Sequence, residues 1–204
     1  ADLASGVTAQ LWAPGRPLGR DDAVAAAERA GRVLRRLHDA PIGGLPEHDP
    51  GDLLALCRAA VARVAVALPA LAPRLARAAE RLERATPSGL VRVPSHGDYT
   101  VGQMLEDDGR LWVVDTDTLC AAPAAHDLAA YAGNLVSGRA EDAADARRTR
   151  RRRRRGHGGA PPGLDWHLAA AVMRRIDRPL RRLKKRWPER TERILGAVEE
   201  LLPV

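Results

Sequence analysis

The spacing of apolar residues predicts a chain built mainly from amphipathic helices. In the first of them Val24, Ala27, Leu34 and Leu37 are three or seven residues apart, so their side chains share one helix face. Proline and glycine residues separate this helix from those that follow. Predicted helices begin after Asp22, at Pro50 and, with Pro69 and Pro73 as interruptions, at about Leu71; three more are predicted over 126–136, 164–176 and 189–202.

The pattern changes between Leu90 and Leu119. Residues 90–93 (LVRV) are typical of a short strand. Residues 103–106 and 111–114 flank Asp107-Asp108-Gly109, a combination that predicts a β-hairpin with its turn. We therefore predict a mainly α fold in which one small β-hairpin is inserted near the middle of the chain.

Polar residues surround this predicted hairpin, in the segments HGDYTVGQML (96–105) and LWVVDTDTL (111–119). Asp98 precedes the first strand, Gln103 opens it and Asp115 ends the second, so all three should gather at one end of the hairpin. Two carboxylates and an amide oxygen form a set of hard oxygen ligands that suits Mg²⁺. A carboxylate beside such a cation can also accept a proton from an alcohol.

These segments resemble the catalytic core of the aminoglycoside phosphotransferase family. HGDYTVGQML, then VVDTD, then PAAHDLA follow the family's order at compatible spacing. The earlier segments LWAPGRPL and LRRLHDA resemble the family's hinge and the first helix of its larger lobe. The resemblance spans about residues 11–202, and its specific motifs lie in 96–131. It implies the helical C-terminal lobe of a protein-kinase-like α+β fold, and phosphorylation of a small-molecule hydroxyl with ATP and Mg²⁺.

The resemblance also implies roles for the polar residues. Asp98 matches the catalytic base and Asp115 the metal-binding aspartate. Gln103 takes the place of the usual metal-binding asparagine; it keeps the amide oxygen and adds one methylene. Glutamine also occurs at this position in maltokinase-like members of the family, whose catalytic loop is similar to this one.

Three further residues complete the expected site. His96 and Asp127 match residues that give structural support to the catalytic loop. Asp117 has no secure counterpart, and we keep three readings for it: a ligand of a second metal ion, an acceptor contact, or an ordinary acid in a turn. No nucleotide-binding residue can be named from the sequence.

The chain differs from the family pattern at its beginning. Family members carry a β-rich nucleotide-binding lobe with a phosphate-contacting lysine before the hinge, whereas Lys184 and Lys185 are the only lysines here. We expect a hinge-like segment over 1–20 and a helical phosphotransferase lobe over 21–204, with the catalytic hairpin at 96–119. An N-terminal lobe would then be missing or supplied separately. A fragment, a late-start gene model and a degenerate paralogue all fit this expectation.

The net charge of +7 comes from one tract, since residues 147–155 include eight arginines and the rest of the chain would carry −1. We interpret 147–160 as a disordered loop, with a polyanion-binding segment as the alternative, and expect no nucleic-acid partner. Cys57 and Cys120 form no CxxC motif, and no apolar stretch is long enough to span a membrane. A cytoplasmic protein is expected.

Two other functional classes stay open. The pairs His38-Asp39 and His126-Asp127 are compatible with an HD-type metal phosphohydrolase. A non-catalytic pseudokinase remnant, or a scaffold with a basic loop, would fit a chain without a nucleotide-binding lobe. The acceptor is not readable from the sequence: sugars, aminoglycosides and amino alcohols are all compatible with the motifs.

Overall fold

The computed structural model describes residues 12–19, 21–138 and 155–202, and it is mainly helical. The helices are α1 (Ala23–His38), α2 (Pro50–Ala67), α3 (Ala72–Arg84), α4 (Ala125–Gly138), α5 (Leu164–Met173), α6 (Arg178–Arg181) and α7 (Trp187–Leu201). The predicted fold class, mainly α with a small β-hairpin, is confirmed.

The strands form two small antiparallel sheets. The strands are β1 (Arg16–Pro17), β2 (Arg92–Ser95), β3 (Met104–Asp107), β4 (Arg110–Val113) and β5 (Cys120–Pro123). One sheet has the order β1-β3-β4, and β2 pairs with β5 in the other. The chain passes from the second sheet to the first through 96–103 and returns through 114–119. The two polar segments are therefore side by side.

The observed strand bounds differ slightly from those predicted for the hairpin and the strand before it. The strands are shifted by one residue from 103–106 and 111–114, because Gln103 lies in a 3-10 turn over Val101–Gln103 instead of opening β3. The turn holds two residues, Asp108 and Gly109, both at positive φ, as a tight hairpin connection requires. The first predicted strand begins two residues later than expected, at Arg92. Strands β1 and β5 were not predicted.

Buried hydrogen bonds and one close helix contact hold residues 96–103 and the neighbouring helices together. The Tyr99 hydroxyl donates a hydrogen bond to the carbonyl oxygen of Ala30 in α1 at 2.8 Å. The Tyr131 hydroxyl, in α4, donates to the carbonyl oxygen of Ala23 in α1, also at 2.8 Å. Helices α4 and α5 approach closely, since a Cβ on Gly133 would lie 2.9 Å from the Cβ of Ala171. This packing fixes the C-terminal end of α5 beside the polar segments.

The remaining predictions concern cysteines, membranes and the arginine tract. Cys57 and Cys120 are unpaired and buried, and burial raises the pKa of their thiols to about 12 and about 11, which makes both unreactive at neutral pH. Among the described helices, none is both long and apolar enough to cross a bilayer. The structure does not describe residues 147–154, which are most of the tract at 147–160. The interpretation of this tract as a disordered loop stays a prediction.

Candidate active site

Asp127 holds the start of the polar loop in place. Its carboxylate, in the first turn of α4 and with no exposed surface, accepts hydrogen bonds from the backbone N–H groups of His96 (2.7 Å) and Gly97 (3.0 Å). Burial tends to raise the pKa of Asp127, but His38, His126 and the His96 N–H favour the carboxylate, so its pKa is below the ordinary value. The loop is thus anchored on a buried negative charge.

The backbone at Gly97 directs the loop toward Asp98. Gly97 has φ +86°, and a Cβ there would be 2.2 Å from the Thr118 carbonyl oxygen, so only glycine is accommodated. The Thr118 hydroxyl donates to the His96 carbonyl (2.7 Å), and the His96 ring Nε2 lies 3.0 Å from the Val114 carbonyl oxygen. These contacts join the HGD loop to the segment that follows β4.

Gln103 and Asp115 contact each other at the base of the hairpin. The Gln103 amide nitrogen donates to Asp115 Oδ2 at 2.7 Å, and the Val114 N–H donates to the Gln103 carbonyl at 3.0 Å. Turning the Gln103 amide would bring its oxygen, in place of its nitrogen, to the side of Asp115, where both groups could face one cation. Asp115 has φ +64°, a left-handed conformation that an aspartate adopts at some energetic cost and that recurs at functional sites.

Asp98 lies between this pair and a group of arginines. Its carboxylate is 45% exposed, and its Oδ1 is 3.6 Å from the Arg174 guanidinium and 3.7 Å from that of Arg175. These separations are too long for hydrogen bonds, so the arginines hold Asp98 by charge. Asp98 and Gln103 both line an open cleft of about 790 Å³. The base candidate and the metal-ligand candidate therefore face one space.

Arginines form the helical side of this cleft. They are Arg63, Arg174, Arg175, Arg178, Arg181 and Arg182. Burial and the charge of Arg174 lower the pKa of Arg175 to about 9, and burial also lowers that of Arg174. A pKa near 9 still leaves Arg175 protonated at neutral pH. We call these six residues the arginine wall.

The phosphotransferase enzyme family model matches residues 2–167, most of the chain. The chain belongs to this family. No curated protein matches it significantly. The family assignment confirms the resemblance seen in the catalytic motifs, while the specific similarity to maltokinase-like members stays a prediction.

Solved structures of phosphotransferases share the fold. A choline/ethanolamine kinase family protein from Mesorhizobium loti has a TM-score of 0.67 at 16% identity, over 95% of this chain and 68% of that one. A glucosamine kinase has a TM-score of 0.57 at 25% identity, over 91% and 55%. A spectinomycin phosphotransferase, solved with ADP and spectinomycin, has a TM-score of 0.55 at 15% identity, over 94% and 64%. The chain thus spans roughly half to two thirds of these proteins, and its fold is that of their helical kinase-like lobe.

The structure brings most of the residues predicted for the site close together. Asp98 and Gln103 line the cleft, and Asp115 contacts Gln103. Asp117 is exposed in a 3-10 turn and is not among the residues lining the cleft. His96 and Asp127 are buried beneath the loop, where they brace it by hydrogen bonds. The catalytic and metal-binding roles stay predictions.

The described part of the chain contains no group of three His, Cys, Asp or Glu side chains placed to hold a metal ion. A histidine-aspartate centre of the HD phosphohydrolase type is therefore not formed within those residues. A kinase-like magnesium site needs fewer protein ligands, because one or two carboxylates combine with substrate phosphates and water. Gln103 and Asp115 are compatible with this second kind of site.

Sequence reasoning missed the arginine wall. The net charge without residues 147–155 is close to zero, which suggested that the basic character belongs to one tract only. The charge sum did not reveal that the fold collects arginines from α2, α6 and the end of α5 on one side of the cleft. The segment RRIDRPLRR (174–182), directly after an apolar helix, was the available signal.

Proposed function

We propose that this chain supplies the catalytic lobe of a phosphotransferase that transfers the γ-phosphoryl group of ATP to a hydroxyl of a small molecule, with Mg²⁺ as cofactor. The observation that carries the proposal is that Asp98 and Gln103 line one cleft, on a loop braced by Asp127, and that Gln103 contacts Asp115. The family assignment supports the reaction class.

Asp98 is proposed as the residue that orients the acceptor hydroxyl and receives its proton. Because its two arginine neighbours are beyond hydrogen-bond distance, the carboxylate can accept a hydrogen bond from an incoming alcohol. The buried support from Asp127 and the glycine at 97 restrict the motion of the loop, which favours a defined angle of approach for the alcohol.

Gln103 and Asp115 are proposed to hold the magnesium ion. The Gln103 side-chain oxygen and the Asp115 carboxylate are hard oxygen ligands on adjacent segments, and the 2.7 Å hydrogen bond from the Gln103 amide nitrogen to Asp115 places the two side chains next to each other. A magnesium ion held there would neutralise charge on the phosphoryl oxygens. Asp117 stays a weaker candidate for a second ion or for an acceptor contact.

ATP as the donor is proposed on two grounds. The family model is that of phosphotransferases, and neighbouring structures of a glucosamine kinase and a spectinomycin phosphotransferase contain ADP. Because this chain spans only part of such proteins, we propose that further nucleotide contacts come from a second, nucleotide-binding lobe. A non-catalytic remnant is the alternative.

The test is acceptor-dependent formation of ADP. The protein is incubated with ATP, MgCl₂ and a panel of small alcohols that covers sugars, amino sugars, amino alcohols and hydroxy acids. ADP release that requires one of the alcohols and stops when EDTA removes the metal is the expected result. If every alcohol leaves ADP release at the level of the alcohol-free control, the non-catalytic alternative is favoured.

A further inference from the structure

We propose that the acceptor is an alcohol that also carries a negative charge, as a carboxylate or phosphate group, and that the arginine wall binds this charge. This inference rests on the proposed function and adds the chemical class of the acceptor. It differs from the cationic aminoglycosides and amino alcohols that the sequence motifs left open.

The position of Asp98 locates the acceptor. A base must lie within hydrogen-bond distance of the hydroxyl that it deprotonates. Since Asp98 lies 3.6–3.7 Å from Arg174 and Arg175, an alcohol that contacts Asp98 is also next to these two guanidinium groups. The rest of the acceptor must then extend along the cleft, whose helical side is the arginine wall.

The charge on this side of the cleft is strongly unbalanced. Among the described residues, five arginines of the wall (Arg63, Arg174, Arg175, Arg181 and Arg182) are set against two carboxylates, Asp98 and Asp177, which leaves an excess of three positive charges. Counting Asp115, which contacts Gln103, reduces this excess to two. A concave surface with this excess concentrates anions, because the low-dielectric walls focus the field of the arginines.

Contacts within the protein hold three arginines of the wall, Arg63, Arg181 and Arg175. Asp177 has no exposed surface; its Oδ2 accepts a hydrogen bond from Arg63 Nε at 2.7 Å and forms an ion pair with Arg181, whose Nε lies 2.9 Å away, so one buried carboxylate positions two arginines. Arg175 is 8% exposed and donates to the Ala171 carbonyl at 2.8 Å. Held guanidinium groups bind carboxylate or phosphate with less loss of side-chain entropy than mobile ones.

Burial of the arginines also favours an anionic ligand. Placing Arg174 and Arg175 largely out of water is unfavourable unless nearby negative charge compensates. The half-exposed Asp98 carboxylate supplies part of this compensation, at distances longer than hydrogen bonds. An acceptor carboxylate or phosphate would supply the remainder. A polycationic acceptor would instead meet like charge and bind more weakly.

The experiment compares four sugar derivatives that differ mainly in charge. Calorimetric titration measures binding of glucose 6-phosphate, gluconate, glucose and glucosamine to the full chain in low salt. We expect the two anions to bind at least about 10-fold more tightly than glucose, the change that about 1.4 kcal/mol of interaction gives, and glucosamine to bind least. The preference should shrink in high salt.

A pair of matched variants assigns the effect to the wall. Arg178→Gln/Arg182→Gln removes two charges that line the cleft, whereas Lys185→Gln/Arg190→Gln removes two exposed charges outside it. The first variant should lose about 10-fold in affinity for glucose 6-phosphate, and the second should match the unmodified protein. Equal losses in both variants would show only a general charge effect and would overturn the proposal.

Two further outcomes separate this inference from the proposed function. If ADP is formed with a neutral or cationic alcohol and the anions bind no better than glucose, the function stands and the charge inference fails. If anions bind at the wall but no alcohol supports ADP formation, the function fails and the binding preference stands. Competition between ADP and glucose 6-phosphate would assign the wall to nucleotide phosphates, which would also overturn the inference.

Discussion

The two sides of the cleft differ in composition and in how the sequence encodes them. The hairpin side presents oxygen atoms from Gln103 and Asp115 on short segments between two small sheets. The helical side presents guanidinium groups, held by packed helices and by the buried Asp177. We propose that the two sides have different roles, with metal and phosphoryl chemistry at the hairpin and recognition of the acceptor at the helices.

Removing the support shared by both sides should have the largest effect on stability. Asp127 belongs to α4 and binds the backbone of the HGD loop, so Asp127→Ala leaves one buried and one partly buried N–H group without their acceptor. We expect a loss of about 4 kcal/mol in the free energy of unfolding, from about 1–3 kcal/mol for each unsatisfied group. Urea denaturation measures it.

Asp117→Ala is the control for this change, because Asp117 is exposed in a turn next to the same loop. It should alter the free energy of unfolding by less than about 0.5 kcal/mol. Similar losses in the two variants would mean that Asp127 does not anchor the loop as described.

The helical side should make stability depend on pH. His167 is buried in α5 and its ring Nδ1 lies 2.9 Å from the Gly163 carbonyl oxygen; burial lowers its pKa from 6.5 to about 4. Between pH 4 and pH 6.5 the His167 ring is therefore protonated more readily in the unfolded chain than in the folded protein. Stability is fully present above pH 6.5 and falls toward pH 4 by about 3 kcal/mol from this residue.

His167→Gln tests this assignment, since glutamine cannot take up the proton. The variant should show a smaller decrease in the free energy of unfolding between pH 6.5 and about 4, whatever its stability at neutral pH. His126, whose pKa burial also lowers, accounts for a remaining slope. An unchanged slope in His167→Gln would disprove the assignment.

These contrasts also explain how much of the molecule the sequence could predict. The helices were predictable because their apolar residues recur at helical spacing and because prolines and glycines separate them. The hairpin was predictable from Asp108-Gly109, whose positive φ angles the tight turn requires. Strand β1 was not, because it contains two residues, Arg16 and Pro17, and forms by pairing with β3, which is distant in sequence.

Some residues of the candidate site could be predicted from the sequence and others could not. Asp98, Gln103 and Asp115 could be selected because they lie within eighteen residues in motifs with fixed spacing. The segment 174–182 shows five arginines of the wall close together in sequence, but their place at the cleft beside Arg63 could not be predicted, because it depends on helix packing and on the buried Asp177. A charge total for the chain conceals such a cluster. Spatial convergence of residues distant in sequence is the information that the motifs lack.

The hairpin side should respond most clearly in metal affinity. Asp115→Asn removes the charge of the proposed ligand, and we expect Mn²⁺, used as a probe for Mg²⁺, to bind about 10-fold more weakly. Electron paramagnetic resonance of free Mn²⁺ measures the change. Asp117→Asn is the matched control and should have little effect. Equal weakening in both variants would assign the ion to the turn instead of the Gln103–Asp115 pair.

The most direct test of the proposed phosphotransferase site is the rate of phosphoryl transfer in Asp98→Asn. This change keeps the size of the side chain and removes its ability to accept the proton. With an alcohol that supports ADP formation, the rate should fall by about 1,000-fold, while Mn²⁺ affinity and the circular dichroism spectrum stay unchanged. A rate that stays close to that of the unmodified protein would contradict the assignment of Asp98 as the base.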